Sequence, residues 1–279
     1  MWTLQVACPD RPGLVAAVAS VVAAHGGNIT DSDQHTDPDA LTFHQRLRFH
    51  LPDGAGEGFE ADLERLAGEL GAVTRLRRPG RTTRMAIFVS RLDHCLYDLL
   101  LRHAAGELPC DIPVVVSNHP DLAGVAAHFG VPFRVVPITP ATRAEHDATV
   151  LALLEELDID LVVLARYMQL ISPTLVERYA TRMINIHHSF LPAFIGAKPY
   201  HQAHERGVKL IGATAHYVTD VLDEGPIIEQ DVIRATHRDT VDDLVRKGRD
   251  VERAVLGRAV RWHLEDRVLR YGNRTVVFA

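Results

Sequence analysis

The chain has 279 residues, of which 47% are hydrophobic and 24% are charged, a balance typical of a globular protein with an ordinary core. Its formal net charge of −6 argues against a broad nucleic-acid-binding surface, although it does not exclude a small anionic ligand. The three cysteines form no C-x-x-C pair, and no apolar stretch has the length of a membrane span or the layout of a signal peptide, so we expect a cytoplasmic protein.

Residues 1–80 are predicted to form a small α+β domain. Alternating apolar and polar residues between Leu41 and Leu51, interrupted by Gln45, indicate a half-buried strand. A helix rich in alanine ends at Gly26-Gly27, which are typical helix-terminating residues. The predicted strands are 3–8, 28–36, 41–51 and 73–76, and the predicted helices are 14–24 and 59–70. This order is βαββαβ, a split βαβ arrangement.

A Pro- and Arg-rich linker at 77–84 precedes a second predicted domain, residues 85–279. Here short apolar runs of strand character alternate with helical segments, which indicates a doubly wound, mostly parallel sheet. The runs lie at 85–90, 112–117, 133–138 and 161–166, followed by strands at 183–187, 210–218 and 226–233, a helix at 240–266 and a terminal strand. Ligands bind such sheets at the carboxyl ends of the strands.

The strongest local signal is Asn185-Ile186-His187-His188, at the end of the predicted strand 183–187. Side chains at positions i and i+2 of a strand share a face, so Asn185 and His187 point the same way. An amide beside an imidazole is suited to stabilising the oxyanion that forms when a nucleophile adds to a carbonyl. A polar strand end that merely closes a turn is the alternative, and the spacing alone does not separate the two.

The second signal is the acidic segment 219–226, in which Asp220, Asp223 and Glu224 precede a Gly-Pro pair. Three carboxylates in five residues before Gly-Pro are typical of a solvated turn. A carboxylate placed near His187 would instead supply the base and the orienting group that an amide and an imidazole lack.

Together these motifs resemble the folate-dependent formyltransferase family, over residues 85–279. The resemblance implies that Asn185, His187 and Asp223 are the catalytic residues. It also implies that the segment 163–172 and the loop beginning at Val218 form two walls of a folate pocket. The folate-contacting residues implied are Met168, Gln169, Leu170 and Ile171 on one wall and Val218, Thr219, Asp220 and Val221 on the other.

Three features resemble the branch of this family in which water accepts the formyl group. His188 stands where transferases usually have proline, and residues 194–218 contain a GA-x-PY-x-QA core. The first strand-to-helix turn, residues 90–96, has no glycine and includes an acid, which suits a ribotide phosphate poorly. The resemblance therefore implies hydrolysis of 10-formyltetrahydrofolate to formate and tetrahydrofolate, supplying formate for purine synthesis. Transfer to an amine such as glycinamide ribonucleotide remains the alternative, and His188 is a candidate for supporting the catalytic residues.

The first domain resembles ACT domains, small modules that often bind amino acids. The markers are the Asp10-Arg11-Pro12-Gly13 turn after strand one and the Gly26-Gly27-Asn28-Ile29 segment after helix one. A glycine that opens a helix exposes N–H donors to a carboxylate. We therefore expect an effector site at Asp10, Gly13, Asn28 and Ile29 and a homo-oligomer formed through this domain. A purely structural dimerisation module is the alternative.

Two further classes of function remain to be weighed. A metal hydrolase could use His187, His188, His201 and His204, but no carboxylate lies in H-E-x-x-H register, so we expect no metal and no cofactor beyond the folate substrate. A folate or amino-acid sensor without catalytic activity would not need the set Asn185, His187 and Asp223. We expect no nucleic-acid partner and no membrane association.

Overall fold

The computed structural model describes residues 1–193 and 199–279. Contacts divide the chain into two compact units, the first made of Met1–Arg81 with Asp266–Ala279 and the second of Thr82–Glu265. The predicted second domain extended to residue 279, whereas the structure places residues 266–279 in the first unit. In the described part of the chain, no helix is long and apolar enough to cross a membrane.

The first unit contains the predicted βαββαβ order. Its elements are β1 (Trp2–Pro9), α1 (Leu14–Ala24), β2 (Asn28–Asp37), β3 (Thr42–His50), α2 (Gly56–Leu70) and β4 (Val73–Arg77). The four strands form an antiparallel sheet in the order β2-β3-β1-β4. Alternate residues of β1 and β3, such as Leu4 and Phe49, pack with Val18 of α1 and Phe59 of α2 in one apolar cluster.

The end of the chain forms a hairpin in this unit rather than the single strand predicted. Its strands are β12 (Val268–Tyr271) and β13 (Arg274–Val277), joined through Gly272 at a φ of 53°. The hairpin and Asp266, two residues before it, provide hydrogen-bond acceptors for buried polar side chains of the four-stranded sheet. Gln5 Nε2 donates to the carbonyl oxygens of Asp266 and Val268 at 2.8 and 3.1 Å, and Arg46 Nε donates to that of Asp266 at 2.9 Å.

The second unit is built on a seven-stranded sheet with the order β11-β10-β9-β8-β5-β6-β7. Strands β5 to β9 run parallel, and β10 and β11 are antiparallel additions at one edge. The strands are β5 (Thr83–Val89), β6 (Cys110–Ser117), β7 (Phe133–Val135), β8 (Leu161–Leu164), β9 (Met183–His187), β10 (Leu210–Tyr217) and β11 (Ile227–Arg234). The structure therefore confirms the predicted mostly parallel sheet preceded by a small βαββαβ domain.

The helices of this unit are α3 (His94–Ala104), α4 (Ala123–His128), α5 (Arg143–Glu156), α6 (Pro173–Arg178), α7 (Pro199–Arg206) and α8 (Val241–Leu264). The strand order reverses between β5 and β8, because the chain leaves β5 toward β6 and later returns to the other side of β5. Such a switch point leaves a crevice at the carboxyl ends of the two strands. The residues that follow β5 and β8 are therefore placed to line a ligand site.

Candidate active site

A cavity of about 610 Å³ lies at this end of the second unit. All eleven residues that the sequence predicted for catalysis or folate binding line it. The predicted residues found there are Asn185, His187, Asp223, Met168, Gln169, Leu170, Ile171, Val218, Thr219, Asp220 and Val221. A cavity of this size is within the range of small-molecule sites.

Strand β9 carries Asn185 and His187 to the edge of the cavity. Ile184 and Ile186 of this strand are buried in the core, and His187 is only 6% exposed. Because Asn185 and His187 are two residues apart, both side chains leave the same face of the sheet. The amide and the imidazole are thus held by one rigid element.

Asp223 reaches the same place from the loop after β10. Its backbone is in the left-handed region, with a φ of 57°, which is unusual for a residue that is not glycine. The next residue but one, Gly225, lies so close to the strand that a Cβ there would be 1.7 Å from the Tyr217 carbonyl oxygen. The Gly-Pro pair after the acidic segment therefore permits a tight return of the loop, and this return directs the Asp223 carboxylate inward.

The carboxylate of Asp223 and the imidazole of His187 are in direct contact. His187 Nδ1 lies 3.2 Å from Asp223 Oδ1, and the two side chains are 7% and 9% exposed. Burial alone would raise the pKa of Asp223, but the hydrogen bond from His187 opposes it, and the pKa of this carboxyl is held well below its usual range. Asp223 is therefore ionised at neutral pH. The other ring nitrogen, His187 Nε2, is buried and has no hydrogen-bond partner among the described residues.

His216 is a member of this site that the sequence analysis missed. Its Nε2 lies 3.2 Å from Asn185 Nδ2 and 3.7 Å from Asp223 Oδ1. Its Nδ1 lies 2.9 Å from the carbonyl oxygen of Tyr217, which can only accept, so Nδ1 donates there and Nε2 accepts from Asn185 Nδ2. His216 therefore orients the Asn185 amide, which retains a second N–H.

The turn after β9 is anchored by Thr214, which lies opposite His187 on β10. The Thr214 hydroxyl donates to the carbonyl oxygen of Ser189 at 2.9 Å and accepts from the Leu191 N–H at 3.0 Å and from Gln230 Nε2 at 2.9 Å. Thr214 is fully buried. These bonds fix the chain direction immediately after the catalytic candidate His187 and its neighbour His188.

The two predicted folate walls have the apolar character that a flat aromatic ring requires. Met168 and Leu170 on one wall and Val221 and Leu222 on the other are large apolar side chains that remain more than half exposed. The Met168 N–H is held by the Ser90 hydroxyl at 3.1 Å. Exposed apolar side chains that line a cavity mark a ligand-binding surface.

A second polar cluster, also missed by the sequence analysis, lines the same cavity. The carboxylate of Glu252 accepts a hydrogen bond from Tyr200 at 2.6 Å and lies 2.8 Å from His94 Nε2. Arg166 Nε lies 3.4 Å away in an ion pair. Burial would raise the pKa of Glu252, but the hydrogen bond from His94 and the charge of Arg166 lower it to about 2.

His188 lies beside both groups of residues. Burial, and then the positive charge of Arg166, lower the pKa of His188 to about 3, so its imidazole is neutral at neutral pH. The motif that resembles GA-x-PY-x-QA is only partly visible, because residues 194–198 lie outside the described ranges. Of the two histidines weighed as metal ligands on α7, His201 lines the cavity and both are exposed.

Within the described ranges, His94, Cys95 and Glu252 form one group of potential metal ligands, with ligand atoms within 4.8 Å of one another. A thiol must lose its proton to bind a metal, and burial raises the pKa of Cys95 well above its ordinary value. His94 and Glu252 are already bonded to each other. This donor set favours a hydrogen-bonded cluster over a metal centre.

The residues predicted for an effector site lie in the first unit. Gly13 immediately precedes α1 with a φ of 91°, and Asn28 and Ile29 begin β2. Asp10, Gly13 and Asn28 are exposed, and Ile29 is half-buried. The Asp10 N–H donates to the Leu41 carbonyl oxygen at 2.8 Å.

Comparison with known proteins adds the following findings. Residues 83–260 match the model of the formyl transferase family, and residues 2–71 match that of the ACT domain. A formyltetrahydrofolate deformylase of Synechocystis sp. is 52% identical over 279 residues, which are 99% of this chain and 98% of the relative.

Two solved structures are similar to this chain, one over its full length and the other over most of it. The crystal structure of a formyltetrahydrofolate deformylase from Pseudomonas syringae pv. tomato is 48% identical with a TM-score of 0.96, covering 100% of this chain and 94% of that one. Glycinamide ribonucleotide transformylase 1 from Symbiobacterium toebii is 34% identical with a TM-score of 0.67, covering 72% of this chain and 96% of that one.

Proposed function

The chain belongs to the formyltetrahydrofolate deformylases of the formyl transferase family, with an ACT domain in front, and we propose that it hydrolyses 10-formyltetrahydrofolate at the cavity of its second unit. The products are formate, which is then available for purine synthesis, and tetrahydrofolate. The observation that carries the choice of site is the contact between His187 and Asp223 beside a buried, unpartnered His187 Nε2.

In this mechanism water attacks the formyl carbon. The ionised Asp223 orients the water and takes one of its protons as the new carbon–oxygen bond forms. The negative charge then develops on the former carbonyl oxygen. The loop that carries Asp223 lies in the same cavity as both folate walls, which supports this role.

His187 and Asn185 stabilise the resulting oxyanion. His187 donates to it from Nε2, and Asn185 donates the amide N–H that His216 does not use. When the intermediate collapses, the bond from carbon to N10 breaks, and His187 gives its proton to N10 as tetrahydrofolate leaves. The product leaves as formic acid, which keeps the water oxygen and the second water proton and ionises to formate in solution, and the proton on Asp223 returns to His187.

The folate is held between the two apolar walls. The pterin lies against Met168, Gln169, Leu170 and Ile171, and the opposite wall is formed by Val218, Thr219, Asp220 and Val221. Exposed apolar side chains on both walls support this placement. His188 is neutral and lies next to His187, between the catalytic residues and the polar cluster around Glu252, and we assign it a role in supporting the catalytic residues.

The test is formate release from 10-formyltetrahydrofolate by the purified chain with water as the sole acceptor. We expect continuous formate release at a rate that added amines do not increase. Transfer to an amine is the competing reaction, and a strict requirement for an added amine would establish it instead. Activity is expected to persist in EDTA, because the proposed steps need no metal.

We also propose that a free amino acid acts on the enzyme through Asp10, Gly13, Asn28 and Ile29. The N–H groups at the start of α1, next to Gly13, support binding of a carboxylate. The test is a kinetic screen of free amino acids on the full chain and on its Asn28→Ala variant. An effect that persists unchanged in the variant, or no effect of any amino acid, would contradict the proposal.

We propose that the protein forms a homo-oligomer through its ACT domain. We also propose that it is located in the cytoplasm. Three buried cysteines without disulfides support a reducing compartment. Sedimentation of the purified chain tests the first proposal, since a monomer at all concentrations would contradict it.

A further inference from the structure

A continuous series of contacts leads from the reaction centre to the second polar cluster. The ring centroids of His187 and His188 lie 5.1 Å apart, and those of His188 and Tyr200 lie 6.2 Å apart. Tyr200 in turn donates to Glu252 at 2.6 Å. We call the four residues His94, Arg166, Tyr200 and Glu252 the carboxylate wall, and this wall lies one side chain away from the imidazole of His187.

Both carboxylate oxygens of Glu252 in the carboxylate wall have partners within the protein, whereas His94 Nδ1 and Arg166 Nε make no hydrogen bond among the described residues. One oxygen of Glu252 accepts from Tyr200, and the other contacts both His94 at 2.8 Å and Arg166 at 3.4 Å. The Glu252 residue is 1% exposed. A carboxylate that binds an incoming amine would keep an oxygen open toward the cavity, whereas both oxygens of Glu252 are engaged within the protein.

Packing holds the wall in place from two sides. His94 begins α3, at the turn after β5, and is 8% exposed. Tyr200 lies against α8 at Gly248, where a Cβ would be 2.0 Å from the Tyr200 hydroxyl oxygen. The imidazole and the phenol therefore occupy volume that smaller residues would leave to the cavity.

The space between the wall and the reaction centre suits water. The neutral ring of His188 offers one donor and one acceptor nitrogen. A water molecule can donate to one of these nitrogens or accept from the other. An amine acceptor also needs room for the carbon skeleton that carries it.

We propose that the carboxylate wall restricts the formyl acceptor to water by filling the side of the cavity from which an amine would reach the formyl carbon. This inference rests on the proposed function and explains why water rather than an amine accepts the formyl group. The fold does not impose the restriction, because a 34% identical solved structure with the same fold is named a transformylase. The restriction must therefore come from side chains such as those of the wall.

The experiment compares products made by the full-length wild type, His94→Ala and Tyr200→Phe. Each protein receives 10-formyltetrahydrofolate with increasing glycinamide or hydroxylamine, and both formate and the N-formyl product are quantified. His263→Ala is the matched control, since it removes another buried imidazole bonded to a tyrosine, with Tyr217 Oη and His263 Nδ1 2.7 Å apart, away from the cavity. The ratio of the two products is independent of the fraction of protein that is folded.

We expect His94→Ala to raise the ratio of N-formyl product to formate by about tenfold or more, because opening a pocket by one small group changes discrimination by roughly that factor. Tyr200→Phe removes only a hydroxyl, so its increase is smaller, and His263→Ala leaves the ratio at the wild-type value. The proposal is overturned if both wall variants release formate at an unchanged ratio, or if the wild type already formylates the amines. Absence of formate release by the wild type without amine would instead refute the proposed function.

Discussion

The amide of Asn185 is oriented by a cross-strand partner. Asn185 on β9 lies opposite His216 on β10, and the proton on His216 Nδ1 is directed at the Tyr217 carbonyl oxygen. One amide N–H is thereby used, and the other is free to bind the oxyanion. The ability of Asn185 to stabilise the oxyanion thus depends on which of its N–H groups is already hydrogen-bonded to His216.

Asn185→Ala is expected to lower kcat by about 100- to 1000-fold, the usual effect of losing one oxyanion donor. KM for the folate should change little, because the walls that hold the pterin are separate from Asn185. Steady-state kinetics on the folded variant provide the measurement. A large rise in KM with kcat unchanged would show that Asn185 binds substrate rather than the transition state.

Glu252→Gln is expected to change how stability depends on pH. The pKa of Glu252 falls from its ordinary value of 4.5 to about 2 in the folded chain, so its charge stabilises the fold fully above 4.5, and this stabilisation is lost as the pH falls toward 2. Breaking such a buried pair costs about 3–5 kcal/mol at neutral pH.

Urea denaturation of both proteins at a series of pH values measures this effect. The difference in the free energy of unfolding should be largest near neutral pH and should shrink between pH 4.5 and 2. A difference that stays constant across this window would contradict the account of Glu252.

The convergence of Asn185, His187 and Asp223 on one cavity could be predicted from the sequence, because a short motif and a family resemblance mark these residues. His216 could not be predicted, since it is a single histidine in a largely apolar strand. Its role follows only from the register of β9 and β10, which pairs residue 216 with residue 185. Likewise, no local pattern connects His94 with Glu252, which is 158 positions away.

At the scale of elements, the loop after β10 decides whether Asp223 can reach His187. The two ends of the loop are held together, because the N–H of Tyr217, at the end of β10, donates to the carbonyl oxygen of Pro226 at 2.9 Å. Val218 N–H also donates to the Met183 carbonyl oxygen at 2.9 Å. The sheet edge therefore clamps the loop at both of its ends.

Gly225→Ala should displace this loop, because its Cβ would lie 1.7 Å from the Tyr217 carbonyl oxygen. We expect activity to fall by about 100-fold, since a catalytic group moved by roughly 1 Å can lose that factor. Gly124→Ala on α4 is the control, as no atom lies within 4 Å of its Cβ. Equal activity of the two variants would show that the loop position is not critical.

Most elements could be predicted from hydrophobic patterns and helix-ending glycines. Helix α1 has the predicted bounds, and strand β9 does as well. Helix α2 begins at Gly56 rather than at residue 59, because two glycines obscure its first turn. Helices α4 and α6 have six residues each, too few to show a period.

At the scale of the whole molecule, the two ends of the chain fold together in one unit. Arg46 is 1% exposed, and its guanidinium is bonded to Asp31 at 2.9 Å, Asp33 at 3.3 Å and the Asp266 carbonyl oxygen at 2.9 Å. The sequence could not reveal this, because 220 positions separate Arg46 from Asp266. Contacts therefore assign residues 266–279 to the first unit, whereas the prediction extended the second domain to residue 279.

A chain that ends at Glu265 should have a less stable ACT domain. Gln5 and Arg46 lose their carbonyl partners, and each buried donor left unpaired costs roughly 1–3 kcal/mol. Hydrogen exchange of β1 and β3 amides measures the loss, which we expect to be selective for this unit. Residues 1–81 joined to 266–279 by a flexible linker should regain protection, and equal protection without the hairpin would contradict the prediction.

The central claim is that the carboxylate of residue 223, and not merely negative charge in its loop, drives hydrolysis at His187. The direct measurement is formate release by Asp223→Asn beside Glu224→Gln, which removes the exposed charge of the next residue. We predict that Asp223→Asn loses nearly all activity while Glu224→Gln keeps the wild-type rate. Formate release by Asp223→Asn at a rate close to that of the wild type would contradict the account.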